Sequence, residues 1–280
     1  MPETPTPVVF IHGLWLHASS WDPWQEVFTR AGFAPVAPPW PGDAPTVAAC
    51  RADPGPIGNR GIDEVVAHYA GLIRALPARP VIIGHSFGGL VTQKLLGQGL
   101  GAAGVAIDPA PIKGVRVLPG SALRVASVAL RNPLNRTRAV SLTFDQFRYG
   151  FANAVPEVEA SELYDRWTIP APGRPLFEAA LASFQPHSPA AVDTANAERG
   201  PLLLIAGGAD HTVPPSVVRA THHLYRGSGA AGAVTDLHTF PGLGHSLTID
   251  SGWRQVADRV LSWLVEKGLS ATAGPAAARQ

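Results

Sequence analysis

The stretch Pro80-Val81-Ile82-Ile83-Gly84-His85-Ser86-Phe87-Gly88-Gly89 decides the fold. Its β-branched run reads as a strand buried on both faces of a parallel sheet. The run delivers Ser86, flanked by Gly84 and Gly88, straight into the helix-forming Leu90-Val91-Thr92-Gln93-Lys94-Leu95-Leu96. A strand-to-helix turn this abrupt has no room for side chains at the two glycines. It holds the serine in a strained conformation with its hydroxyl at the strand's carboxyl end, over the positive end of a helix. A glycine-rich turn that carries a serine by accident gives the same short pattern, but the strand before it and the helix after it favour the reactive reading. A serine hydroxyl alone is inert. It needs a base, an orienting acid and donors for a developing oxyanion.

The bulk numbers narrow the classes. The 280 residues, 46% of them hydrophobic, suffice for one large core. A formal net charge of +1 with 15% charged residues supplies no basic stripe for nucleic acid and no polybasic membrane anchor. No apolar run approaches the ~18 residues of a membrane span. The opening Met1-Pro2-Glu3-Thr4-Pro5-Thr6-Pro7 lacks the cationic start of a signal peptide, and a lone Cys50 excludes an internal disulfide, so a cytoplasmic, reducing setting is expected. Cys50 has no base beside it in sequence and reads as buried filler. His222-His223 has no acidic or cysteine partner at ligand spacing, and no G-x-G-x-x-G arrangement occurs, so neither metal nor nucleotide cofactor is expected.

Outward from Ser86, apolar strands are expected at residues 8–11, 33–37, 104–107, 201–206 and 234–240. Helices are expected at 21–30, at 63–76 with Asp63 as its cap, and at 215–225 and 253–267. Six strands alternating with helices imply an α/β fold, a doubly wound, mostly parallel sheet with ligands at the strands' carboxyl ends. Between 112 and 196 the alternation lapses into short amphipathic stretches broken by Pro and Gly. That segment is expected to be a helical cap inserted in a core of 1–111 and 197–269, with 270–280 a flexible tail. Asp210 follows one late strand and His245 the next, so both fall on the same sheet edge as Ser86, in the chain order serine, acid, histidine. Asp108, also just past a strand, is the rival acid.

Together, Phe10-Ile11-His12-Gly13, Gly84-His85-Ser86-Phe87-Gly88, Gly208-Ala209-Asp210 and Gly244-His245-Ser246 resemble the α/β-hydrolase fold family, over nearly the whole chain. The antiparallel strands that larger members carry before the His12-Gly13 strand are missing, so the sheet should be compact. The resemblance implies Ser86 as nucleophile, His245 as base and Asp210 as the acid that orients it. It also implies an oxyanion hole from the backbone N–H groups of Leu14 and Phe87, with Trp15 as the runner-up for the first. His12 is expected to brace that loop, and His85 to pack beside the nucleophile.

Aromatic residues crowd the insertion. Most should pack it onto the sheet, while Phe147 and Trp167, with Trp15 and His12, are candidates to contact substrate. Arg116, Arg124, Arg131, Arg136 and Arg138 form a loose series whose spacing suits an exposed surface. With no cation aimed at a carboxylate or phosphate, the expected partner is a small, neutral, fairly hydrophobic ester cleaved through an acyl-enzyme. The same three residues also fit a perhydrolase, a lactonase, a C–C bond hydrolase or a hydroxynitrile lyase. A non-catalytic binding protein on this scaffold would have no need of them. Nothing in the sequence fixes the oligomeric state.

Overall fold

The computed structural model describes residues 5–230 and 232–269; the tail expected at 270–280 lies outside the described residues. Strands β1 (Pro7–Ile11), β2 (Ala34–Val36), β3 (Val81–His85) and β4 (Ala103–Ile107) precede a long intervening segment. That segment contains the short antiparallel pair β5 (Ala139–Val140) and β6 (Ala171–Pro172). After it come β7 (Leu202–Gly207) and β8 (Thr235–Phe240). The main sheet runs β2-β1-β3-β4-β7-β8, every pair parallel.

Among the described residues ten α-helices precede, join or follow these strands: α1 (Asp22–Arg30), α2 (Val47–Ala52), α3 (Ile62–Arg74), α4 (Phe87–Gly97), α5 (Gly120–Leu130), α6 (Phe144–Gly150), α7 (Glu157–Trp167), α8 (Arg174–Ala180), α9 (Pro215–Gly227) and α10 (Trp253–Glu266). The strands are apolar in both registers because both faces are covered. Val9, Ile11 and Ile82 point to the side of α3, α4 and α9, whereas Val8, Phe10 and Ile83 point to α1 and α10. Phe10 anchors the second side, stacked on Trp21 at 4.9 Å and edge-on to Phe28 at 5.3 Å. No helix among the described residues is long and apolar enough to cross a membrane.

Two local expectations need correction. Asp63 is not the cap of α3: the cap position is Gly61, and Asp63 lies in the first turn, where it meets the helix dipole and Lys94 Nζ at 2.8 Å. The orphan amide of Ile62 is met instead by Glu178 Oε2 at 2.8 Å, from α8 in the intervening segment. Helix α2 occupies part of what reads as loop. It is capped by Thr46 and is too short to show a period.

The elbow after β3 is held by close backbone approach. A Cβ on Gly84 would collide with the Gly88 carbonyl, and one on Gly88 with the carbonyl of Ile11 at the end of β1. Gly71, inside α3, faces open space. Gly71→Ala should therefore raise the melting temperature by about 1–3 °C, through the usual ~0.5–1 kcal/mol of helix propensity. Gly88→Ala should lower it sharply or yield insoluble protein; thermal unfolding by circular dichroism checks both.

Candidate active site

Ser86 stands at the junction of β3 and α4 with φ 56° and ψ −120°, a conformation that a non-glycine residue holds only under constraint from its surroundings. Its amide donates to Ile107 O at 2.9 Å, and its carbonyl accepts from Gly89 and Ala110, also at 2.9 Å. The loop after β1 lies directly against it, since a Cβ on Gly13 would sit 2.7 Å from the Ser86 Cβ. Neither the Leu14 amide nor the Phe87 amide donates to another protein group among the described residues. The Phe87 amide opens α4, where N–H groups have no intrahelical acceptor.

That loop is braced from below and from the side. His12 Nδ1 contacts Gly13 O at 2.9 Å, and Nε2 lies 3.1 Å from Asp43 Oδ2, with all of this buried. Trp40 Nε1 donates to His12 O at 3.0 Å. Trp15, at φ 66°, donates its indole N–H to Val140 O at 2.9 Å, and its carbonyl accepts from Ile169 N at 3.0 Å. Arg51 of α2 grips the end of α7, donating to Tyr164 O at 2.8 Å, Asp165 O at 3.0 Å and Thr168 O at 2.9 Å.

On the other side of Ser86, the loops after β7 and β8 meet. His245 Nδ1 lies 2.6 Å from Asp210 Oδ2 and 3.9 Å from Asp108 Oδ2. The other Asp210 oxygen accepts from the amides of Thr212 at 2.6 Å and Val213 at 2.9 Å. Asp210 thus faces three donors and is the nearer of the two acids to the imidazole. With Nδ1 donating to Asp210, the His245 Nε2 lone pair is left free, and that nitrogen is buried without a hydrogen-bond partner. Ser86 therefore does not yet hydrogen-bond to it, a looseness common in unliganded sites.

His245 is sealed by neighbours. Phe151 meets its ring edge-on at 4.6 Å, and the His85 ring lies 4.5 Å away with Nε2 2.9 Å from His245 O. Burial, then the proximity of His245, holds the His85 imidazole well below its ordinary range, so it stays neutral.

Asp108 sits at φ 41°, fully buried, with Oδ1 accepting from Gly207 N at 2.7 Å and Oδ2 unpartnered. Burial and the nearby Asp210 carboxylate push its carboxyl well above the usual range, which favours the protonated form. Asp108, Asp210 and His245 are also the one group among the described residues whose ligand atoms, all within 4.8 Å of one another, call for weighing as a metal site. The 2.6 Å His245–Asp210 contact is a hydrogen bond and too tight for one: nitrogen and oxygen ligands on a tetrahedral zinc lie roughly 3.3–3.5 Å apart.

Ser86, Phe87 and Trp15 line a cavity of about 490 Å³ whose other walls are almost all apolar. Those walls come from Ile112, Leu118 and Leu123 on one side, Phe184 above, and Val213 and Val217 near Asp210. Phe147 and Trp167 are not among them. Phe147 is fully buried, stacked on Phe151 at 5.2 Å, and Trp167 packs elsewhere beneath Arg166. His12 likewise lies behind the loop and off the cavity wall. The wall residues that sequence reasoning missed left one signal: α5 is apolar around more of its circumference than one buried face needs.

A profile of the alpha/beta hydrolase family matches residues 8–259. The chain belongs to the alpha/beta hydrolase family. Similar solved structures of this fold include a monoacylglycerol lipase from Paleococcus ferrophilus, 22% identical, covering 95% of this chain and 96% of its own, with a TM-score of 0.65. A methylesterase from Arabidopsis is 16% identical, covering 93% and 99%, with a TM-score of 0.61. A pyrethroid hydrolase from Sphingobium faniae is 17% identical, covering 93% and 97%, with a TM-score of 0.62. At these identities the likeness shows the hydrolase fold. No curated protein matches the sequence.

For this alpha/beta hydrolase the buried Asp108 carboxyl makes a prediction of pH dependence. Asp108 has a raised native pKa, so its contribution to stability is complete below the unfolded carboxyl pKa, about 3.9, and is lost as pH rises toward the native value. Asn mimics the protonated acid and tolerates positive φ. The melting temperature of Asp108→Asn should therefore gain on wild type as pH is raised from 4 to 8; a flat difference across that range contradicts the assignment.

Proposed function

We propose that the protein is a serine hydrolase that cleaves a neutral, fairly hydrophobic carboxylic ester through an acyl-enzyme on Ser86. The observation that carries this reading is the oriented imidazole: Asp210 Oδ2 accepts the His245 Nδ1–H hydrogen bond at 2.6 Å, leaving the Nε2 lone pair free as a base at the elbow of a strained serine. Ser86 Oγ attacks the ester carbonyl as His245 Nε2 takes its proton. The same proton then goes to the departing alkoxide. The amides of Leu14 and Phe87 receive the oxyanion, and water repeats the cycle on the acyl-enzyme. Asp210 orients the ring and stabilises the imidazolium.

The apolar cavity beside Ser86 holds the hydrophobic part of the substrate, with Trp15 and Phe87 at its floor. In this reading residues 112–196 form a cap over a core of 1–111 and 197–269. A monoacylglycerol lipase and a methylesterase among the fold neighbours agree with ester chemistry. No cofactor enters the scheme.

A fluorophosphonate and a series of p-nitrophenyl esters test it. Wild type should be labelled and should turn over, preferring medium over short acyl chains, and both properties should vanish in Ser86→Ala. Asp210→Asn should lose about 10⁴ in kcat, by analogy with the same change in other such triads, while Asp108→Asn loses little. Reversal of that order assigns the acid to Asp108; labelling without ester turnover points to a different reaction on the same residues.

A further inference from the structure

We propose that the mouth of the Ser86 cavity is a docking surface for an anionic lipid–water interface. Large apolar side chains there face solvent: Phe184 is 83% exposed, Leu118 71%, Leu123 51% and Val117 38%, and all four line the same cavity as Ser86. Such side chains gathered around one opening form a patch, and a patch at a cavity mouth marks an interaction surface.

The charge around it selects the partner. Over the whole chain 22 cations nearly balance 21 anions, yet residues 111–140 carry Lys113, Arg116, Arg124, Arg131, Arg136 and Arg138 and no acidic residue. All five arginines are exposed, and none forms an ion pair among the described residues. Arg116 lies on the cavity wall itself, and Arg124 stacks over Tyr149 at 3.8 Å, directly after Leu123. Of the seven acids of residues 112–196, four lie on α7, at Glu157, Glu159, Glu162 and Asp165, and the others are Asp145, Glu178 and Asp193.

Unpaired guanidinium groups interleaved with exposed Leu, Val and Phe fit a surface that is apolar beneath and negative on top, which is an anionic lipid layer. A second copy of this chain would bring like charges, at least Arg116 and Arg124, against each other at the mouth. The cavity continues from this patch to Ser86, so docking would place lipid-dissolved substrate at its entrance. The proposal goes beyond the esterase reading and needs none of its chemistry.

Full-length protein and Ser86→Ala are co-sedimented with phosphatidylcholine vesicles, with and without 30% phosphatidylglycerol. Both proteins should bind the anionic vesicles and weaken with added salt. An Arg116→Gln, Arg124→Gln, Arg131→Gln variant should bind roughly 100-fold more weakly, at about fivefold per lost charge. Leu118→Ser with Phe184→Ser should also lose binding, while Val265→Ser, an exposed apolar control on α10, should not. Unchanged melting temperatures exclude misfolding as the cause. No binding to anionic vesicles, equal binding by all variants, or self-association that the Leu118/Phe184 variant abolishes without any vesicle binding overturns the proposal. Absence of ester turnover by the wild-type protein, with its vesicle binding intact, would instead count against the esterase reading alone.

Discussion

The rest of the site depends on how closely three stretches of backbone approach one another. The end of β1 runs past the start of α4 with no side chain between them, because position 88 is glycine and the Ile11 carbonyl fills the space a Cβ would take. Gly13 then lays the following loop against Ser86, and Gly84 lets α4 fold back onto β3. These approaches, together with the pairing of β1 beside β3, over-determine the serine. Its positive φ persists because every relaxed alternative would separate contacts already locked by the sheet.

The second organising constraint is electrostatic. One buried imidazole has two buried carboxyls within reach, and a dry interior does not tolerate two adjacent anions. The chain distributes donors unequally. Asp210 receives two amides and the imidazole, whereas Asp108 receives one amide and leaves an oxygen unpartnered. Asp108 accordingly is the carboxyl pushed toward its protonated form. Its short, turn-forming side chain suits the left-handed backbone at the end of β4.

Much of this was legible in sequence because it is written locally. Alternating β-branched runs, glycines at fixed offsets from Ser86, and acidic and imidazole groups just past strand ends each specify a backbone position without reference to distant residues. The cavity wall carries no such mark. Whether Phe147 or Phe184 faces the void depends on how short helices α6 and α8 tilt, and a seven-residue helix has too few turns to declare its inner face. Leu118 and Leu123 read as ordinary core or ordinary surface until neighbours are known. The Glu178 cap of Ile62 joins residues 116 apart and left no local trace either.

Arg51 ties these themes together. It fastens the carboxyl end of α7, and the residues just beyond reach back to the first loop, with Ile169 N on Trp15 O and His17 N on Trp167 O. The intervening segment is therefore moored to the same backbone that Gly13 lays against Ser86, so the two share one foundation.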